Sequence, residues 1–83
     1  MRLDLFLKHT RLLKRRTVAQ DAVEEGLILL NGRPTKPGRA VKAGDLLTFL
    51  GDGEEGARKV RILQEALRPV PKGREGEFFR EEP

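Results

Sequence analysis

The chain has 83 residues, with 17 Lys plus Arg against 13 Asp plus Glu for a formal net charge of +4, no Cys, one His and 37% hydrophobic residues. A fold of that length buries only ~60–65% of the surface its unfolded chain exposes, which supplies one thin core and excludes large enzyme architectures. With no Cys and His9 alone, a disulfide framework, a Cys-based zinc site and a Cys/His nucleophile pair are excluded, and no cofactor is expected. No apolar run approaches the roughly 18–20 residues that cross a bilayer, and MRLDLFLKHTRLLKRR is not a signal peptide, so a cytoplasmic protein without a membrane partner is expected.

In chain order, RLDLFLKHTR places Leu3, Phe6 and Leu7 at i, i+3 and i+4, the pattern of a short helix with Phe6 in the core. Asp4 and Lys8 have the spacing of a favourable helical ion pair. Leu5 falls off the stripe, so burial on more than one side is expected. Leu12 and Leu13 can anchor the turn that follows, while Arg11, Lys14, Arg15 and Arg16 cannot all be buried and must project into solvent or onto a polyanion. RTVAQDAVEEG predicts a second helix with a stripe of Val18, Ala19, Ala22 and Val23, a capping box from Thr17 to Gln20, and Gly26 as its left-handed stop.

LILLNGRPTK is a strand run ending in Asn31-Gly32, the signature of a two-residue type I′ hairpin, and Pro34 keeps the returning strand short or at an edge. Pro37-Gly38 marks a turn. Residues 46–50 predict a second strand, GDGEEG a loop, and residues 59–63 a last strand that pairs back on 46–50. Residues 68–83 are rich in Pro, Gly and charge and read as a tail, either mobile or pinned by Phe78 and Phe79.

Charge is unevenly placed. Residues 1–42 carry ten basic and four acidic side chains, a balance of +6, whereas residues 43–83 carry seven and nine, a balance of −2. Arg2, Lys8, Arg11, Lys14, Arg15 and Arg16 are opposed within their own stretch only by Asp4, and Asp21, Glu24 and Glu25 are held to the far end of the second helix. A face that served solubility alone would intersperse both signs, so a phosphate-tracking surface is expected. Arginine suits it, because a planar fork grips phosphate bidentately and stacks on bases. Arg33, Lys36, Arg39 and Lys42 extend the basic surface across the sheet, whereas Asn31 and Gly32 answer first to backbone shape. His9 lacks the partners of a catalytic or metal set, and GDGEEG lacks the alternating ligands of a calcium loop. No glycine-rich phosphate loop is present, and no enzymatic activity is expected.

Four blocks recur in a fixed order: Arg2, Asp4 and Leu7; Arg16 and Ala19; Gly26, Ile28, Leu30, Asn31 and Gly32; then Val41, Gly44 and Asp45. In them the stretch from Arg2 to Phe49 resembles the RNA-binding domain family first described in ribosomal protein S4. The resemblance implies an α+β fold, the alpha-L RNA-binding motif, in which two packed N-terminal helices lie against a small curved, mostly antiparallel sheet. With the Pro- and charge-rich stretch of 68–83 read as a C-terminal tail, the domain is expected over residues 1–67. Lys14-Arg15-Arg16-Thr17, with Arg15 where most members carry Ser, is similar to the stand-alone ribosome quality-control branch. The partners implied for that branch are large-subunit ribosomal RNA and peptidyl-tRNA on an obstructed large ribosomal subunit, together with a quality-control factor that directs alanine tailing. A monomer is expected when the chain is free. RNA contact is carried first onto Arg2 and Arg16, then onto Lys8, Arg11, Lys14 and Arg15, then onto Gln20, Asn31 and Lys36, with Asp4 orienting its basic neighbours. A general structured-RNA binder in ribosome assembly, or an RNA-targeting module for a separate modifying enzyme, stays open beside that reading.

Overall fold

The computed structural model describes residues 1–50 and 58–83, and the GDGEEG loop expected at 51–56 lies outside them. Helices α1 (Leu3–His9) and α2 (Arg16–Glu24) precede strands β1 (Ile28–Leu30), β2 (Leu46–Phe49) and β3 (Arg58–Ile62), a 3₁₀ turn at Glu75–Glu77 and strand β4 (Phe79–Glu82). The strands form one antiparallel sheet in the order β1-β2-β3-β4. Register places Ile28 opposite Phe49, Leu30 opposite Leu47 and Leu47 opposite Val60, so one apolar face is continuous across three strands. Leu3, Phe6, Leu7, Ala19 and Val23 of the helices close over that face in a single core.

Helix α1 buries Leu3, Asp4, Phe6 and Leu7, with Leu5 half-buried, as expected of a helix enclosed on more than one side. No side chain caps its N-terminus. Its first amides instead donate to the loop that runs antiparallel beside it, from Leu3 N–H to the Arg39 carbonyl (2.9 Å) and from Asp4 N–H to the Pro37 carbonyl (3.0 Å). The helix ends where Arg11 takes a left-handed backbone, φ 60°. That position normally falls to Gly or Asn, because a Cβ there meets the following carbonyl.

Helix α2 starts and stops close to expectation, with Gly26 left-handed at φ 78°. Two details are corrected. Val18 is 49% exposed, because in a nine-residue helix the four-residue spacing of Ala19 and Val23 faces the core and Val18 lies off that line. The Thr17–Gln20 capping box does not form. The N-cap is Arg15, without a side-chain bond, and the Gln20 amide is drawn to the buried Asp4 carboxylate, a stronger acceptor than a local reach back to the backbone would supply. The expected Asp4–Lys8 pair is corrected for the same reason: the carboxylate turns inward, and Lys8 stays in solvent.

The hairpin forms as expected, with Asn31 at φ 51°, Gly32 at φ 82°, and Leu30 and Arg33 exchanging backbone bonds of 2.8 and 3.1 Å. The return is a single bridge at Arg33, after which the chain leaves the sheet. Asn31 then ties this turn to the start of β2, donating from Nδ2 to Asp45 Oδ1 (3.2 Å) and accepting the Leu46 N–H at Oδ1 (2.9 Å). Residues 68–83 fold back on the domain. Val70 is buried and bonds the His9 carbonyl, β4 pairs with β3, and Phe78 and Phe79 pack against the core.

Candidate nucleic-acid interface

Asp4 is the centre of the site. Its side chain is fully buried between the two helices, yet both of its oxygens are saturated by donors. Oδ1 accepts from Arg2 Nε (3.1 Å) and the Leu5 amide (2.8 Å), and Oδ2 accepts from Arg2 Nη2 (3.0 Å), Gln20 Nε2 (2.9 Å) and Arg16 Nε (3.3 Å). Burial alone would push this carboxyl upward. Hydrogen bonds from Arg2, Gln20 and Arg16 outweigh burial and hold its pKa at about 2, so Asp4 is an anion at every physiological pH.

The geometry decides what each arginine can still offer. The guanidinium of Arg2 gives its Nε/Nη2 edge to Asp4, which leaves the Nη1/Nη2 end, with its remaining N–H groups, directed away from the carboxylate. Arg16 commits Nε alone. Their side chains are 49% and 41% exposed, so two cations are pinned at the base and open at the tip. Pinning removes rotamer freedom before a ligand arrives, which lowers the entropic cost of binding it. A phosphate is an anion that such a fork can grip bidentately.

The remaining expected residues sort into three groups. Lys8, Lys14 and Arg15 are exposed and, among the described residues, their side chains make no hydrogen bond or ion pair. Arg11 pairs with Glu75 across 3.3 Å, a contact from the C-terminal segment that sequence spacing gives no means of anticipating. Neither Asn31 nor Lys36 bonds the Asp4 carboxylate. Lys36 lies with Pro34, Thr35 and Arg39 along a groove beside the hairpin, and the Asn31 amide is spent on Asp45 and Leu46. Burial opposes ionisation of Asp45, and the Lys42 amide and Asn31 side chain overcome it and hold this carboxyl below the usual carboxylate range. Sequence reasoning missed that the 37–41 segment pairs with the start of α1, since the sequence shows there a Pro-Gly turn, the cation Arg39 and the block residue Val41 but no sign of the pairing.

The S4 domain family model matches residues 1–47, more than half of the chain, and so spans both helices, the hairpin and the Asp4 cluster. The chain belongs to the S4 domain family. A Listeria innocua protein named RQC P-site tRNA stabilizing factor is 46% identical to this S4 domain protein over 65 residues, covering 78% of this chain and 71% of the relative. A Bacillus subtilis protein of the same name is 52% identical over 48 residues, 58% of this chain and 56% of the relative. Among solved structures, trimeric Vibrio cholerae Heat Shock Protein 15 matches with a TM-score of 0.88 at 26% identity, over 99% of this chain and 81% of that one. The α+β arrangement expected from the sequence is thus the one found. Among the described residues of this S4 domain protein, no helix is long and apolar enough to cross a membrane, and no group of three or more His, Cys, Asp or Glu side chains is placed to hold a metal ion.

Proposed function

We propose that this chain is an RNA-binding accessory factor of ribosome-associated quality control, holding the tRNA on large ribosomal subunits that carry stalled peptidyl-tRNA. The observation that carries the reading is the Asp4 cluster, which presents Arg2 and Arg16 as fixed forks on the same basic segment as the exposed Lys8, Lys14 and Arg15. An array of oriented cations suits a folded polyanion, recognised by backbone and shape. The names of the Listeria and Bacillus relatives support a tRNA as one ligand. Ribosomal RNA of the large subunit is the second ligand, reached by the same basic surface with Gln20, Asn31 and Lys36 at its margin. The role is to bind and not to transform: the chain steadies peptidyl-tRNA while a tailing factor supplies alanyl-tRNA.

Sedimentation of the tagged chain through a sucrose gradient of cell lysate tests this, comparing wild type with Arg16→Ala and probing each fraction for peptidyl-tRNA. Wild type travelling with large subunits that carry peptidyl-tRNA, and the variant left near the top, is the expected result. Wild type on precursor particles, or on no ribosomal particle, overturns the quality-control role.

A further inference from the structure

The loop that satisfies the first amides of α1 also brings Gly38 against Arg2. Besides the two bonds to Leu3 and Asp4, Val41 N–H donates to the Met1 carbonyl (2.9 Å), and Arg2 and Ala40 form an isolated antiparallel bridge. A Cβ placed on Gly38 would lie 3.4 Å from Nη2, 3.5 Å from Cζ and 3.8 Å from Nε of Arg2. Near-equal distances to three bonded atoms of a planar group put that point over its face. An approach in the plane from the Nε/Nη2 side would leave Cζ farthest, and Asp4 already occupies that side. Gly26, Gly32, Gly44 and Gly73 all have left-handed backbones, whereas Gly38 does not. The backbone therefore gives no reason for glycine at 38.

We infer that Gly38 is a positioning residue for Arg2: the bare turn lies against one face of the guanidinium while Asp4 grips one edge, and the two constraints together fix where the free end of the fork points. The inference rests on reading Arg2 as an RNA contact. A methyl group at 38 stands at ordinary contact distance from the guanidinium, so Gly38→Ala is tolerated. Valine fills two of the three staggered positions on its Cβ and leaves the guanidinium too little room. The group displaced is the far end of a flexible side chain, so the arginine yields and the fold does not.

Two measurements on the full chain test the inference. In proton–nitrogen NMR spectra, the Arg2 Nε–H resonance reports its bond to Asp4 without any RNA. It should be retained in Gly38→Ala and move to the position of a solvent-exposed arginine in Gly38→Val, at a temperature where circular dichroism shows both variants folded. Binding of fluorescently labelled bulk tRNA across a salt titration supplies the functional arm. Gly38→Val should lose affinity by the same factor as Arg2→Ala, on the order of tenfold. Its log–log salt slope should fall by about 0.7–0.9 for each phosphate that is no longer neutralised. The double variant should bind no more weakly than Arg2→Ala alone. An unmoved Nε–H signal in Gly38→Val, or losses that multiply in the double variant, would overturn the inference. If Arg2→Ala binds tRNA as tightly as wild type, the RNA reading of this face fails, and the NMR arm alone decides whether Gly38 positions Arg2.

Discussion

Arg16 reaches back from the start of α2 to Asp4 on α1, Nε to Oδ2 at 3.3 Å, and joins the two helices through one buried carboxylate. The contact neutralises a charge that the core could not otherwise hold, and it aims a cation outward. Gln20 completes the arrangement one helical turn later.

Acid should therefore loosen the helix pair. The folded chain holds Asp4 at about 2 against the ordinary 3.8, so the unfolded chain binds the proton more readily. The resulting stabilisation, about 2 kcal/mol, is complete above pH ~4 and is lost as pH falls toward ~2. Thermal melts across that window should show the decline in wild type and a flatter profile in Asp4→Asn. Asp45, also held low, contributes in the same direction.

Phe6 is fully buried in the core that the helices and the sheet share. Phe6→Ala should cost ~3–5 kcal/mol, read as a lower urea midpoint. A loss below about 1 kcal/mol would mean that the helix packs less tightly on the sheet than its burial indicates.

Arg11 stands in a left-handed conformation and is held by Glu75. Arg11→Gly should raise the melting temperature by relieving ~1 kcal/mol of backbone strain, while weakening RNA binding through loss of a cation. Glu75→Gln should do the opposite to binding, tightening it at low salt by freeing Arg11 and losing that advantage as salt rises. Equal salt dependence in Glu75→Gln and wild type would show that the ion pair does not compete with RNA.

Features written in local chemistry were legible in the sequence. The Leu3-Phe6-Leu7 spacing, the Asn31-Gly32 turn and Gly26 each encode their geometry within a few residues. Features set by distant partners were not. The FREE stretch of β4 has little strand character and pairs because β3 offers it an edge, with Arg58 and Glu81 bridged bidentately across it. The stripe that included Val18 overlooked how short α2 is. The basic cluster was visible as six equivalent charges. Tertiary contacts divide it, among the described residues, into two anchored on Asp4, one held by Glu75 and three left in solvent. By spacing alone Asp4 reads as half of a surface ion pair, because periodicity cannot tell a solvated carboxylate from one buried among donors, and only the family resemblance gives it the part of orienting Arg2 and Arg16.

The most direct test of the account is the affinity of Asp4→Asn for labelled tRNA, measured at fixed salt and at a temperature where circular dichroism shows the variant folded. Removing one acidic group takes the net charge from +4 to +5, and long-range electrostatics alone would tighten binding. If Asp4 aims Arg2 and Arg16, binding weakens on the order of tenfold in spite of the added positive charge, whereas unchanged or tighter binding would contradict the account.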